Sequence, residues 1–148
     1  MELHITEINT QSKEYPQLLE FRNQWLRKPI GLNLMEEDLS DDEKGWILIV
    51  LDEEEIMGCI MLHPLTEKLI KFRQMAIHPN LQGKGIGSTL LEDAEQLAKE
   101  KGFEKIVLHA RNTAIGFYEK AGYQSISEPF TEVTIPHIVM KKQFHEFL

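Results

Sequence analysis

The residues of this chain best suited to chemistry lie in Met75-Ala76-Ile77-His78-Pro79-Asn80-Leu81-Gln82-Gly83-Lys84-Gly85-Ile86-Gly87-Ser88. An apolar strand runs into a Gly-rich turn, and the turn opens an amphipathic helix. The first turn of a helix carries N–H groups with no intrahelical acceptor and the positive end of the helix dipole. A diphosphate needs several such donors converging on it, and Gly83, Gly85 and Gly87 leave room for its approach. Lys84 adds charge at the rim. The plainer reading is a turn that only joins strand to helix. Each glycine, however, costs roughly 0.5–1 kcal/mol against Ala inside a helix, which argues for a use beyond connection. Lys84 is not followed by Ser or Thr, so the stretch is not a nucleotide P-loop. Its alternate glycines and the hairpins before it do not fit the dinucleotide fingerprint either.

The elements that must position this turn follow from periodicity. Leu3 to Ile8 alternates apolar and polar residues, as a strand does. Ser12 is expected to cap a helix bearing Tyr15, Leu18, Leu19, Trp25 and Leu26, which Pro29 and Gly31 end. Residues 33–43 are polar and acidic. Trp46 to Leu51 and Ile56 to Leu62 read as a hairpin around Asp52-Glu53-Glu54-Glu55, and Leu69 to Ile77 as a third strand. The following helix aligns Ile86, Leu90, Leu91, Ala94, Leu97 and Ala98 on one face and stops at Gly102. Ile106 to Leu108 is a short strand. Asn112 or Thr113 starts a helix that Gly122 ends, and strands near Tyr123–Ser127 and Glu132–Met140 close the chain. The order is β-α-β-β-β-α-β-α-β-β. It predicts a mixed α/β fold whose mostly antiparallel sheet of about six or seven strands is flanked by about four helices.

The chain has 148 residues, which favours one domain spanning 1–148 with a single core. No apolar run approaches the ~18–20 residues of a membrane span, and Met1-Glu2-Leu3-His4 lacks the features of a signal peptide. Cys59 is the one cysteine, so neither an intrachain disulfide nor a cysteine metal cluster forms, and its apolar neighbours predict a buried, inert thiol. A cytoplasmic protein with no membrane partner is expected. The formal charge of −8 argues against a nucleic-acid partner and is compatible with a cationic one. His4, His63, His109 and His145 show no spacing of a metal site, so no metal is expected.

Gln82-Gly83-Lys84-Gly85-Ile86-Gly87 resembles the Arg/Gln-x-x-Gly-x-Gly/Ala loop with which the GNAT superfamily of N-acetyltransferases holds the pyrophosphate of coenzyme A. Asn112-Thr113-Ala114-Ile115-Gly116-Phe117-Tyr118-Glu119-Lys120-Ala121-Gly122-Tyr123 resembles the second signature of that superfamily. The two lie at the usual distance, the element order matches, and the resemblance covers residues 1–143. Leu26-Arg27-Lys28-Pro29-Ile30-Gly31-Leu32 and Thr134-Ile135-Pro136-His137-Ile138-Val139-Met140 look like segments of a branch that includes ElaA-like and YjcF-like proteins, whose substrates are largely unassigned.

The resemblance implies an acyltransferase that uses acetyl-CoA as co-substrate and passes its acetyl group directly to an amine, of a small molecule or of a peptide. A sensor that binds acyl-CoA without turnover is the alternative, and a homodimer is left open. It places the pantetheine arm and thioester on Met75, Ala76 and Ile77, the pyrophosphate on Gln82 to Ser88, and makes Tyr118 the general acid. A tyrosine (reference pKa ~10) stays protonated at neutral pH and can donate to a departing thiolate. Asn112 caps the helix carrying Tyr118 or bonds the pantetheine amide. One branch places a glutamate base where this chain has Val107, so no base carries over. The candidates are His78, His137, Glu132 and a water chain, and His137 is expected on a strand facing the acceptor. Arg22, Arg27 and Arg73 either contact an acidic group of the acceptor or are solvated. Glu36-Glu37-Asp38 and Asp41-Asp42-Glu43 read as a solvated loop.

Overall fold

The computed structural model describes residues 2–144. Eight strands form one sheet: β1 (Leu3–Ile8), β2 (Trp46–Asp52), β3 (Glu55–Pro64), β4 (Leu69–Ile77), β5 (Lys105–Arg111), β6 (Gln124–Ser125), β7 (Phe130–Glu132) and β8 (Ile135–Gln143). Their order is β1-β2-β3-β4-β5-β8-β6, with β7 also paired to β8. Among the described residues there are three α-helices, α1 (Tyr15–Arg22), α2 (Ile86–Glu100) and α3 (Ile115–Lys120), and short 3-10 turns. Every pairing is antiparallel except β4 with β5. The mixed, mostly antiparallel sheet expected from the sequence is the sheet present, with one strand more and one α-helix fewer.

Strands β2 and β3 are apolar along nearly their whole length because both faces of the sheet are covered there. On one face Leu90, Leu91, Ala94 and Ala98 of α2 pack over Leu48, Ile60, Leu62, Ile70, Phe72 and Ile106. On the other, Leu18 and Phe21 of α1 pack over Ile47, Ile49, Leu51, Cys59 and Met61.

The feature that makes a site is the way β4 leaves β5. Their parallel pairing runs from Leu69↔Lys105 to Phe72↔Leu108 and stops, although β4 continues to Ile77 and β5 to Arg111. A bulge lies where the pairing ends. Met61 of β3 faces Arg73 and Cys59 faces Ala76, so Gln74 and Met75 together oppose Ile60. Gln74 takes φ +55°, a conformation few side chains adopt, and the Cys59 thiol donates to its carbonyl at 3.1 Å. A bulge bends its strand and increases local twist, which carries the end of β4 away from β5.

Several expectations need correction. Ser12 does not cap α1. Its hydroxyl accepts from the Asn9 N–H, closing the turn after β1, and Glu14 stands at the cap position. The helix passes into a wider π-helical turn (Asn23–Arg27) and a 3-10 turn (Lys28–Ile30) that ends at Gly31 in the left-handed conformation. The expected strand from Glu132 to Met140 is two strands, because Val133 and Thr134, at φ +46° and +69°, reverse the chain so that Glu132 faces Ile135. Asn112 caps nothing. It opens a 3-10 turn (Asn112–Ala114) ahead of α3 with no side-chain cap bond. Finally, Arg22 and part of the acidic segment are interior. Arg22 and Asp42 are 1% and 6% exposed and pair at 2.8 Å, since packing α1 on the sheet carries Arg22 inside and a buried charge needs a partner.

Candidate active site

Two clefts open where β4 and β5 part. The first, of about 670 Å³, is bounded by the end of β4, the Gly-rich turn, the start of α2 and α3. His78 donates its N–H to Met57 on β3, so by strand alternation Ile77 and Met75 turn their backbone groups toward the gap. The Gln82 side-chain amide donates to the Ile77 carbonyl at 3.2 Å, tying the turn to the strand end. Gly83 and Gly85 take φ +79° and +81°, and a Cβ on either would project into open space. Gly85 is the N-cap of α2, and Thr89 is the first residue to bond back, to the Gly85 carbonyl at 3.1 Å. The N–H groups of Ile86, Gly87 and Ser88 therefore face the cleft end of the helix without intrahelical acceptors. Gly87 also faces α3. A Cβ there would lie 3.5 Å from the Phe117 ring, in ordinary contact with α3. This backbone cradle fits an anionic diphosphate, and the apolar Ala76, Ile77, Leu81 and Phe117 fit an uncharged arm beyond it.

The side chains of Lys84 and Ile86 do not line this cleft, and neither does Asn112, which is exposed; Thr113 and Ala114 line it instead.

The second cleft, of about 560 Å³, lies over the sheet face formed by β3, β4, β5, β7 and β8. Its polar lining includes His63, Lys71, Arg73, His109, Arg111, Glu132 and His137. His109 Nδ1 is 3.2 Å from both Glu132 oxygens, which only accept, and 3.5 Å from Lys71 Nζ, which only donates, so the ring stands between the two charges. His137, 5% exposed, donates from Nδ1 to the Ile135 carbonyl at 2.9 Å, leaving Nε2 3.8 Å from Glu132. Glu132 thus contacts His109 directly and stands near His137 without a hydrogen bond to it.

Tyr118 lines both clefts, as do Leu26, Met75, Arg111 and Ala114. Its hydroxyl donates to the Met75 sulfur at 3.5 Å. Burial pushes the hydroxyl pKa up to about 12, with Arg111 pulling the other way.

The sequence-expected residues therefore divide. Met75, Ala76, Ile77, Gln82, Gly83, Gly85, Gly87, Ser88 and Tyr118 come together in the first cleft, and His137 and Glu132 meet Tyr118 through the second. His78 stays apart from the second cleft. Its Nδ1 accepts from Asn80 N–H and its ring stands edge-on to Trp25. Arg22 pairs with Asp42 and Arg27 with Glu37 at 2.6 Å, whereas Arg73 lines the second cleft. Sequence reading assigned no role to Lys71 or Arg111, and weighed His109 only as a metal ligand. The alternation of β5 carried a signal for two of them, because Val107, His109 and Arg111 share one face. Among the described residues no group of three or more His, Cys, Asp or Glu side chains is placed to hold a metal ion. None of their helices is long and apolar enough to cross a membrane.

A splayed parallel pair, a Gly-rich turn at a helix start and a tyrosine at the junction define a recognisable class. The profile of the acetyltransferase (GNAT) family matches residues 7–123, and the chain belongs to that family. Among curated relatives, YyaT of Bacillus subtilis is 37% identical over 73 residues, 49% of each chain. A Xenopus tropicalis protein named Probable N-acetyltransferase 14 is 33% identical over 85 residues, 55% of this chain and 41% of that one. The matching part spans about half the length of these relatives or less. The fold is shared with Escherichia coli ElaA (TM-score 0.84, 17% identity, 96% and 100% of the two chains). It is shared also with a GNAT acetyltransferase from Elizabethkingia anophelis solved with acetyl-CoA bound (TM-score 0.69, 22% identity, 96% and 98%).

Proposed function

We propose that this protein is an N-acetyltransferase that moves the acetyl group of acetyl-CoA directly to an amine. The observation that carries the reading is the meeting of two clefts at Tyr118, one a backbone anion cradle and the other a polar chamber. The amides from Gly83 to Ser88 would hold the pyrophosphate, and Met75 to Ile77 the pantetheine arm. When bound, acetyl-CoA supplies an activated acyl group as a thioester.

The chain has to position an amine, take its protons and supply one. Most of a primary alkylamine is protonated at neutral pH (reference pKa ~10.4), so one proton must leave before attack. Glu132, in contact with His109 and with His137 nearby, is the group in the second cleft suited to accept that proton, directly or through water. As the N–C bond forms and the C–S bond breaks, Tyr118 gives its proton to the thiolate. The second amine proton restores the tyrosine or leaves to solvent. The balance is one ammonium and one thioester giving one amide, one thiol and one proton. The buried, lone Cys59 fits a reducing compartment such as the cytoplasm.

Thiol release from acetyl-CoA, followed across a panel of amines, tests the proposal. A protein that binds acetyl-CoA yet releases no more thiol with any amine than without would be a sensor rather than an enzyme.

A further inference from the structure

The second cleft is cationic in an acidic protein. The chain carries a formal charge of −8, yet Lys71, Arg73 and Arg111 line this cleft together. Among the described residues none of the three has a carboxylate within ion-pair distance. Of the two carboxylates in the lining, Asp41 pairs with Lys44 at 2.9 Å, and Glu132 bonds His109 and acts on Lys71 only at longer range, Lys71 Nζ lying 3.5 Å from His109 Nδ1. Arg111 gives one N–H to the Leu26 carbonyl, which neutralises nothing.

Placement on the sheet explains the clustering. Lys71 pairs with His63 of β3, and Arg73 follows two residues on, so both side chains leave the same face of β4. In the β4–β5 register Lys71 stands beside Val107, whose apolar side chain offers no counter-charge. The neighbours record the resulting field. Burial lowers the pKa of Lys71, with Glu132 raising it and Arg73 lowering it; burial and then Arg73 lower that of His63, with Asp41 pulling the other way. Holding half-buried Arg73 and Arg111 beside Lys71 with no carboxylate in ion-pair contact opposes folding, which is the kind of arrangement a protein keeps for a ligand. A recessed cleft with one sign of charge also concentrates ligands of the other sign.

We propose that the acceptor is a small amine that also carries an acidic group, carboxylate or phosphate, with Arg73 and Lys71 holding the acid while the amine faces Tyr118. This rests on the transfer reaction proposed above and names its substrate class. A guanidinium offers two parallel N–H donors to a carboxylate or phosphate, and Lys71 adds a point charge. A polyamine or a lysine-rich peptide would meet like charge.

The test uses matched amines. Amino acids are compared with their amides, and phosphoethanolamine with ethanolamine, by kcat/KM for thiol release, with a polyamine alongside. Acids should exceed their neutral partners by about 10–100-fold, the worth of one charge-assisted hydrogen bond. The carboxylate and phosphate pairs identify which acid is preferred. Arg73→Gln should erase that preference while coenzyme A affinity, measured by calorimetry, stays unchanged, and Arg73→Lys should keep part of it. Neutral amines or polyamines used as well as the acids would overturn the proposal and leave acetyl transfer standing. If no amine turns over, calorimetry of the same acids on the complex with coenzyme A decides. Binding that Arg73→Gln abolishes supports the anion site and counts against transfer, whereas no binding of any acid overturns the site.

Discussion

The two clefts are built from different materials. The first is made of backbone: left-handed glycines at 83 and 85, the open first turn of α2, and the strand groups of Met75 and Ile77. The second is made of side chains from strands far apart in sequence, with Lys71 of β4, His109 of β5, Glu132 of β7 and His137 of β8 within a few ångströms of one another. A backbone site depends on local conformation and recurs wherever the same short stretch recurs. A side-chain site depends on strand register and can change one residue at a time. That difference lets one fold keep a common co-substrate while its acceptor varies.

The largest effect is expected where the clefts join. Tyr118→Phe should lower kcat by about 10²–10⁴-fold, the usual worth of a general acid, with acetyl-CoA affinity nearly intact because the ring still packs. Its pH profile has a definite sign. Tyr118 is useful while protonated, and burial raises its pKa to about 12, so loss of its proton cannot cause a fall in rate between pH 7 and 10. A basic limb in that range that vanishes in the Phe variant would contradict the role.

Next comes the backbone cleft alone. Gly85→Asp forces a side chain into a left-handed position and puts a carboxylate in the anion cradle. Coenzyme A binding should weaken by about 10²-fold, as loss of one or two charge-assisted bonds would give, in a protein that remains folded. Unchanged affinity by calorimetry would remove the cradle from the account.

A smaller loss is expected from the side-chain cleft. Glu132→Gln keeps the shape but removes the charge beside His109 and the proposed proton acceptor, and kcat/KM should fall by about 10–100-fold at neutral pH without changing coenzyme affinity. Should affinity fall instead, the two clefts are not separable in the way described. Cys59 gives the smallest signal. Burial pushes its thiol up to about 12, and it lies behind the β4 bulge, so alkylation at pH 8 should proceed only as fast as the protein unfolds. Rapid native-state labelling would mean that the β4 bulge opens in the native state.

The same division governs what could be read from the sequence. The Gly-rich turn and Tyr118 were legible because their chemistry is local. The pairing of Lys71 with the β5 face was not, since it needs the β4–β5 register, and that register stops at Phe72 because of a bulge at Gln74, which looks like any strand residue. The hairpin that delivers Glu132 was hidden for a related reason. Its turn is Val133-Thr134, two β-branched residues at positive φ where Asn-Gly is the expected signal. Arg22 and Asp42 read as surface charges because only tertiary packing of α1 buries them.

The most direct measurement of the central claim is a crystal structure with acetyl-CoA. The pyrophosphate oxygens should lie within about 3 Å of amide nitrogens between Gly83 and Ser88. The thioester sulfur should lie within hydrogen-bonding reach of the Tyr118 hydroxyl, with the acetyl group facing the cleft of Lys71, Arg73 and Glu132. A coenzyme bound with its pyrophosphate elsewhere, or with its thioester turned from Tyr118 and closed off from the second cleft, would contradict that claim.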